Sequence, residues 1–478
     1  LVESFIALGT IFATLAVPLA FDARWTAAAW AIEGAGIVWV GVRQNRMVAR
    51  LFGAALQLLA GIAFILSTRH GHGQWAFIDG IFFGAMTISI ASMISSYHVW
   101  RNRATGAYDQ ALEWALLGWG VIWWIGGGLA EIEAHMPAEL RIAAIVQFSA
   151  GSALIWMALS SYFKWAPLAI PALGVVLLWA LALGFASETK HHPFADRGYI
   201  AWPLAFIIYF WMLYRSEYAY RFARFGHAII LWMLTLVSSW EAGWAVREWI
   251  DGAPSWQQAM WGLIPAVMLG VIHLLRRAQR WPVGPHADDY RGLIALPIAG
   301  YLAVWSLFTS LTSSADAAPL MYLPFINPLD LAHFAVIVAL LVTVRGVAAP
   351  QRVQMYGVLG LVTFVWLSAV LVRTLHHWYG VPYTPEALMA SNLVQASVSI
   401  FWSLIAFALM FLATRRAARV IWLVGAVLLG IVVVKLFVVD LDNSGTIARI
   451  ITFISVGILL VLVGYVSPVP PRRVEVRS

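Results

Sequence analysis

Apolar runs of about twenty residues follow one another along almost the whole chain, from LVESFIALGTIFATLAVPLA at the start to ITFISVGILLVLVGYV near the end. A run of that length crosses the hydrocarbon core of a bilayer as one helix. About sixteen such runs can be marked, at 4–20, 26–42, 51–67, 78–97, 111–130, 140–162, 167–186, 199–213, 226–245, 258–275, 291–309, 329–345, 354–374, 392–413, 419–438 and 447–465. The runs are continuous rather than alternating, which excludes a membrane β-barrel. A soluble globular chain carries about a quarter charged residues; here 11% are charged, 62% are hydrophobic and the mean hydropathy is +0.81. The expected fold is all-α: a polytopic transmembrane helical bundle, one multi-pass domain over 1–478 with no soluble domain. The chain opens on Leu1 inside an apolar run, with neither an initiator Met nor a signal peptide, so it reads as an N-terminally truncated fragment of a longer protein.

The connections alternate in character. Those near 43–50, 98–110, 163–166, 214–225, 275–291, 345–353, 414–419 and 466–478 hold 21 of the 30 Lys and Arg, the intervening set holds 7, and Lys435 and Arg449 make up the rest. Basic connections stay on the cytoplasmic side. This predicts a membrane protein with both ends of the chain cytoplasmic, and it accounts for the net charge of +7 without nucleic acid. The other connections carry most of the acids and the histidines His70, His72, His135, His191, His192, His376 and His377. They are short, so any function must reside in helices and turns. Helix–turn–helix units at 26–67 and 392–438 look alike, as a bundle of hairpins also would.

Charges inside the runs are the natural site candidates, because they are costly in a bilayer. Only three basic residues are lysine, and Lys435 is the one inside a run. Asp440, Asp442 and Arg449 follow it, so the hairpin can be locally neutral. Lys435 either pairs and snorkels, fixing that hairpin, or faces a polar cavity. DLDNSG opens like a calcium loop, but its twelfth position is Ile451, so a capped turn is the better reading. Glu33 lies near mid-bilayer among Ala31, Gly34, Ala35 and Gly36. It is expected to be protonated or paired where another helix comes close, as a proton- or substrate-binding carboxylate or as a helix–helix hydrogen bond. Glu241 sits between Trp240 and Trp244, and His376 and His377 follow Arg373 at an outer helix end. His333 is expected to be a satisfied core group. Gly126, Gly127 and Gly128 suggest a break ending the fifth helix.

Phosphate-loop, HExxH, GxSxG and dinucleotide signatures are absent from the sequence, and so is cysteine. Ser161-Tyr-Phe-Lys164 has SxxK spacing, at a helix end where a snorkelling lysine is expected. No cofactor and no metal site is expected.

KLFVVDLDNSGTIARIITFISVGILLVLVGYV, together with RWTAAAWAIEGAGIVWVGVRQNR at 24–46, resembles a bacterial family of predicted multi-pass membrane proteins, catalogued as domain of unknown function 2339. The resemblance implies a long chain with an additional N-terminal region and supplies no activity. Three readings follow. The first is transport or translocation of a small molecule, lipid or envelope precursor through a polar intramembrane site. The second is a transferase-type enzyme at the outer face using lipid-linked substrates. The third is a scaffold or assembly partner. The bilayer is the partner common to all three.

Overall fold

Helices dominate because backbone polar groups in hydrocarbon have no partner except one another. The computed structural model describes residues 23–67, 80–102, 107–188, 192–216, 223–252, 254–347 and 349–436, with isolated positions between 450 and 461. The long helices are α1 (Ala23–Arg43), α2 (Met47–Ser67), α3 (Gly80–Arg101), α4 (Ala107–His135), α5 (Arg141–Tyr162), α6 (Val176–Glu188) and α7 (Gly198–Ser216), then α8 (Ala223–Trp249), α9 (Pro254–Arg277), α10 (Leu296–Thr312), α11 (Pro328–Arg345), α12 (Ala349–Tyr379), α13 (Asn392–Arg415) and α14 (Arg419–Lys435). Every expected run from 26–42 to 419–438 has its helix. The run 4–20 lies outside the described residues, and 447–465 almost entirely so. Among the described residues, 11 helices are long and apolar enough to cross a membrane. The protein is an all-α polytopic bundle.

The chain divides into two compact units, 1–237 and 238–478, with the boundary inside α8. In the first unit, α1 and α2 form a hairpin against α3, which pairs along its length with α4. Its core joins Ala27, Ala31, Ala60, Phe64, Ile81, Ala85, Ile88 and Ala91 with Trp119 and Trp123 packed against them. Lipid tails are as apolar as these side chains, so close contact and hydrogen bonds must supply the cohesion. Both are present. Ser89, Ser92 and Ser96 share one face of α3 and donate to the carbonyls of Gly120, Leu116 and Glu113 on α4 at 2.7, 2.8 and 2.9 Å. A Cβ placed on Gly34 would come within 2.7 Å of the Gly53 carbonyl, and one on Gly53 within 2.6 Å of the Gly34 carbonyl. These two glycines let the α1 and α2 backbones meet.

Gly126, Gly127 and Gly128 do not break a helix: α4 runs through them to His135. A Cβ on Gly127 would meet Ala85 at 2.8 Å, and one on Gly128 would strike the Phe148 ring. Their role is close approach, since an opened helix would strand backbone groups in hydrocarbon.

In the second unit, α9 packs on α11, α10 on α11 and α12, and α13 on α14. Four of the basic turns share one solution. The residue just past the helix adopts a left-handed conformation at Asn45 (φ 54°), Lys164 (53°), Gln279 (52°) and Ala417 (51°). The following amide closes back five residues: Arg46 to Gly41 at 2.9 Å, Trp165 to Ser160 at 2.8 Å, Arg280 to Leu275 at 3.1 Å and Ala418 to Ala413 at 2.9 Å. This is the Schellman cap, normally completed by glycine. A β-carbon in that region costs about 1–2 kcal/mol. Ala417→Gly is therefore expected to raise stability by about 1 kcal/mol, measured as an upward shift of the thermal transition in detergent. An unchanged or lower transition would show that Ala417 bears no such cost.

A buried arginine–aspartate–histidine centre

A heavily hydrogen-bonded polar group among the described residues of the second unit begins with the sequence Asn327-Pro-Leu-Asp330. Asn327 caps α11: its Oδ1 accepts the Asp330 amide at 2.9 Å, and Pro328 occupies the first helical position. This is an ordinary N-cap. Its consequence is that the Asp330 carboxylate lies over the first turn, where the helix dipole favours an anion. Asn327 Nδ2 also donates to Asp330 Oδ2 at 2.5 Å, and the Phe325 amide reaches the same oxygen at 3.4 Å.

Arg373 meets that carboxylate from α12. Its Nη1 donates to Asp330 Oδ1 at 2.8 Å, and both side chains are 0% exposed. Trp366, two turns earlier on α12, donates its indole N–H to the same oxygen at 3.0 Å. The other guanidinium donors go to the end of α10: Nη2 to the Thr309 carbonyl at 2.8 Å and Nε to the Ser313 carbonyl at 3.0 Å. The Thr309 carbonyl also accepts the Ser313 amide at 3.1 Å, and carbonyls at this end of a helix carry the negative end of the dipole. The cation thus lies between the C-terminus of α10 and an anion at the N-terminus of α11.

His333 lies one turn further into α11 and is also fully buried. Its Nδ1 is 2.8 Å from the Leu329 carbonyl, which can only accept, so Nδ1 carries a proton. Its Nε2 lies 3.2 Å from the Thr309 and Ser310 hydroxyls and 3.3 Å from the Ser306 carbonyl. Thr309 spends its hydroxyl proton on Trp305 O at 2.8 Å. A neutral ring can accept from Ser310; an imidazolium can donate to Ser306. Both protonation states have partners already in place. The ring lies parallel to Trp366, centroids 6.1 Å apart.

His376 and His377 stand at the end of α12 above this centre. The helix runs past the expected boundary at 374 and ends at Gly380 (φ 71°), whose amide bonds His376 O at 3.0 Å. Polar residues stay helical there because each finds a partner. His377 Nε2 donates to Ser314 O at 2.9 Å and its ring stacks on Tyr322 at 4.1 Å; His376 Nδ1 donates to Val381 O at 2.6 Å. Burial pushes the Tyr322 hydroxyl up to about 12, with the Asp330 charge adding to it, and burial also raises Tyr383. Both phenols therefore stay protonated.

The remaining candidates are placed elsewhere. Lys435 ends α14 and reaches α13, donating to Ser399 Oγ at 2.8 Å and Gln395 O at 3.2 Å. Asp440, Asp442, Arg449, His70, His72 and His191 lie outside the described residues. Glu33 is half-buried on α1, beside the Gly34 contact with α2, and Glu241 is half-buried on α8. Among the described residues no three His, Asp or Glu side chains gather as metal ligands. Sequence reasoning placed Arg373 at a helix end and His333 in the core, and did not single out Asp330. A usable signal existed: a capping Asn-Pro-x-Asp, with His333 three residues on, and Trp366 and Arg373 seven apart on one helical face.

Apolar helices of spanning length, a buried ion pair and serine-mediated helix contacts define a polytopic α-helical membrane protein. Residues 1–470 match the family model DUF2339, predicted membrane protein, and the chain belongs to that family. No curated protein and no solved structure matches the chain.

Proposed function

We propose that this protein translocates a small molecule, lipid or envelope precursor bearing an acidic group, with Arg373, Asp330 and His333 as the polar intramembrane site. The observation that carries the proposal is the ion pair with both members 0% exposed in an apolar bundle. Buried pairs add little net stability against apolar replacements, and intramembrane charges commonly mark substrate or proton paths. In this reading Asp330 is the resting counter-ion of Arg373. Protonating Asp330, with His333 as the adjacent proton carrier, releases the guanidinium to a carboxylate or phosphate on the substrate. The α10 carbonyls keep the cation in place meanwhile. In the same reading the centre lies near the outer face of a bacterial inner membrane and both ends of the chain are cytoplasmic, an orientation that the basic connections support.

The full-length protein in proteoliposomes tests this with a panel of carboxylate and phosphate solutes under an imposed pH gradient. One of them is expected to be accumulated. Asp330→Asn should abolish gradient-driven accumulation while substrate exchange at equal pH persists, and Arg373→Gln should abolish both. Equal accumulation by wild type and Asp330→Asn, or no uptake of any solute, refutes the reading. A transferase at the outer face is the second reading, favoured by the convergence of His376, His377, Tyr322 and Tyr383 on that end of α12.

A further inference from the structure

A second polar feature lies in the first unit, where α3 and α5 end. A crevice of about 530 Å³ is lined by Tyr97, Trp100, Arg101, Tyr162, Phe163 and Lys164. Two of the six are cations and none is an acid. We infer that this crevice binds the phosphate of an anionic glycerophospholipid.

Four observations support this. The turn carrying Lys164 is fixed at both strands of the bend: the Trp165 amide donates to Ser160 O at 2.8 Å, and the Ser160 hydroxyl donates to Trp165 O at 2.9 Å. The Arg101 side chain is oriented by Tyr97, to whose hydroxyl Nη1 donates at 2.7 Å. That bond uses one of five guanidinium donors, leaving a fork suited to phosphate oxygens. Tyr97 is itself held within 5.5 Å of Phe163 and 5.6 Å of Trp165, an aromatic wall of the type found at headgroup depth. Finally, helical spacing puts Ile94 on the face of α3 that bears Tyr97 and Arg101, and Ile155 and Leu159 on the face of α5 that bears Tyr162. All three are exposed. They offer a track for acyl chains, which a free phosphate would not use. Among the described residues neither Arg101 nor Lys164 is paired with a carboxylate.

The test uses the full-length protein in detergent, titrated with phosphatidylglycerol and followed by native mass spectrometry. Each surface cation contributes about fivefold to anionic-lipid affinity, so R101Q/K164Q is expected to bind its tightest phosphatidylglycerol about thirtyfold more weakly. R101K/K164R, which keeps the charges, should stay within a few-fold of wild type. Both residues are exposed, and an unchanged thermal transition verifies that the folds are equal. Three results would overturn the inference. One is undiminished binding by R101Q/K164Q. Another is phosphatidylcholine binding as tight as phosphatidylglycerol. The last is inorganic phosphate binding alone and displacing the lipid, which would make the crevice a soluble-anion site.

Discussion

Arg373→Ala is expected to destabilise the protein by about 3–5 kcal/mol, read as a large fall in the denaturant midpoint in detergent micelles. The size follows from what remains. Asp330 would stay at 0% exposure with Asn327, Trp366 and the Phe325 amide around it and no cation. The Thr309 and Ser313 carbonyls at the end of α10 would each lose a guanidinium donor as well. The penalty is mainly that of an uncompensated charge, and its signature is non-additivity. Arg373→Met with Asp330→Leu should recover most of the loss, because the replacements carry no charge to desolvate. If the double variant is as unstable as the sum of the singles, the two side chains act independently and the pair is not the unit described here. A stable double variant that transports nothing would separate the structural role of the pair from the functional one.

The second large effect is expected at the α1–α2 crossing. Gly53→Leu should cost about 1–3 kcal/mol, since its first side-chain carbon would arrive 2.6 Å from the Gly34 carbonyl and 2.8 Å from the Val38 amide nitrogen. Both are backbone atoms and cannot swing away. Gly36→Leu is the matched control, with nothing within 4 Å of its Cβ, and should change stability by less than about 0.5 kcal/mol. Equal effects of the two substitutions would mean that helix propensity, rather than contact between backbones, governs this hairpin. Glu33, next to Gly34, would be displaced by the same substitution, so Gly53→Leu also tests whether the half-buried carboxylate depends on the hairpin's geometry.

The length and composition of the apolar runs were enough to specify the helices, because a bilayer admits few other ways to satisfy a backbone. The hairpins were legible for a similarly local reason: a connection of a few residues between two spanning runs can only return. The sequence also singled out His376 and His377 and the small residues around Glu33, features set by neighbours in the chain. It marks the two halves of the Arg373 centre, the capping Asn327-Pro-Leu-Asp330 and the Trp366–Arg373 spacing, but not that they meet. Thr309, Ser313, Asp330, Trp366 and Arg373 are spread over three helices and a connection, and each alone reads as a capping, interfacial or core residue. Gly126, Gly127 and Gly128 show the same limit, since a glycine run in one sequence is a hinge or a contact depending on what packs against it, here Ala85 and Phe148. Helix formation is decided within a few residues by hydrogen bonding to the chain itself. Which polar groups meet is decided by how helices pack, through contacts that no local spacing encodes.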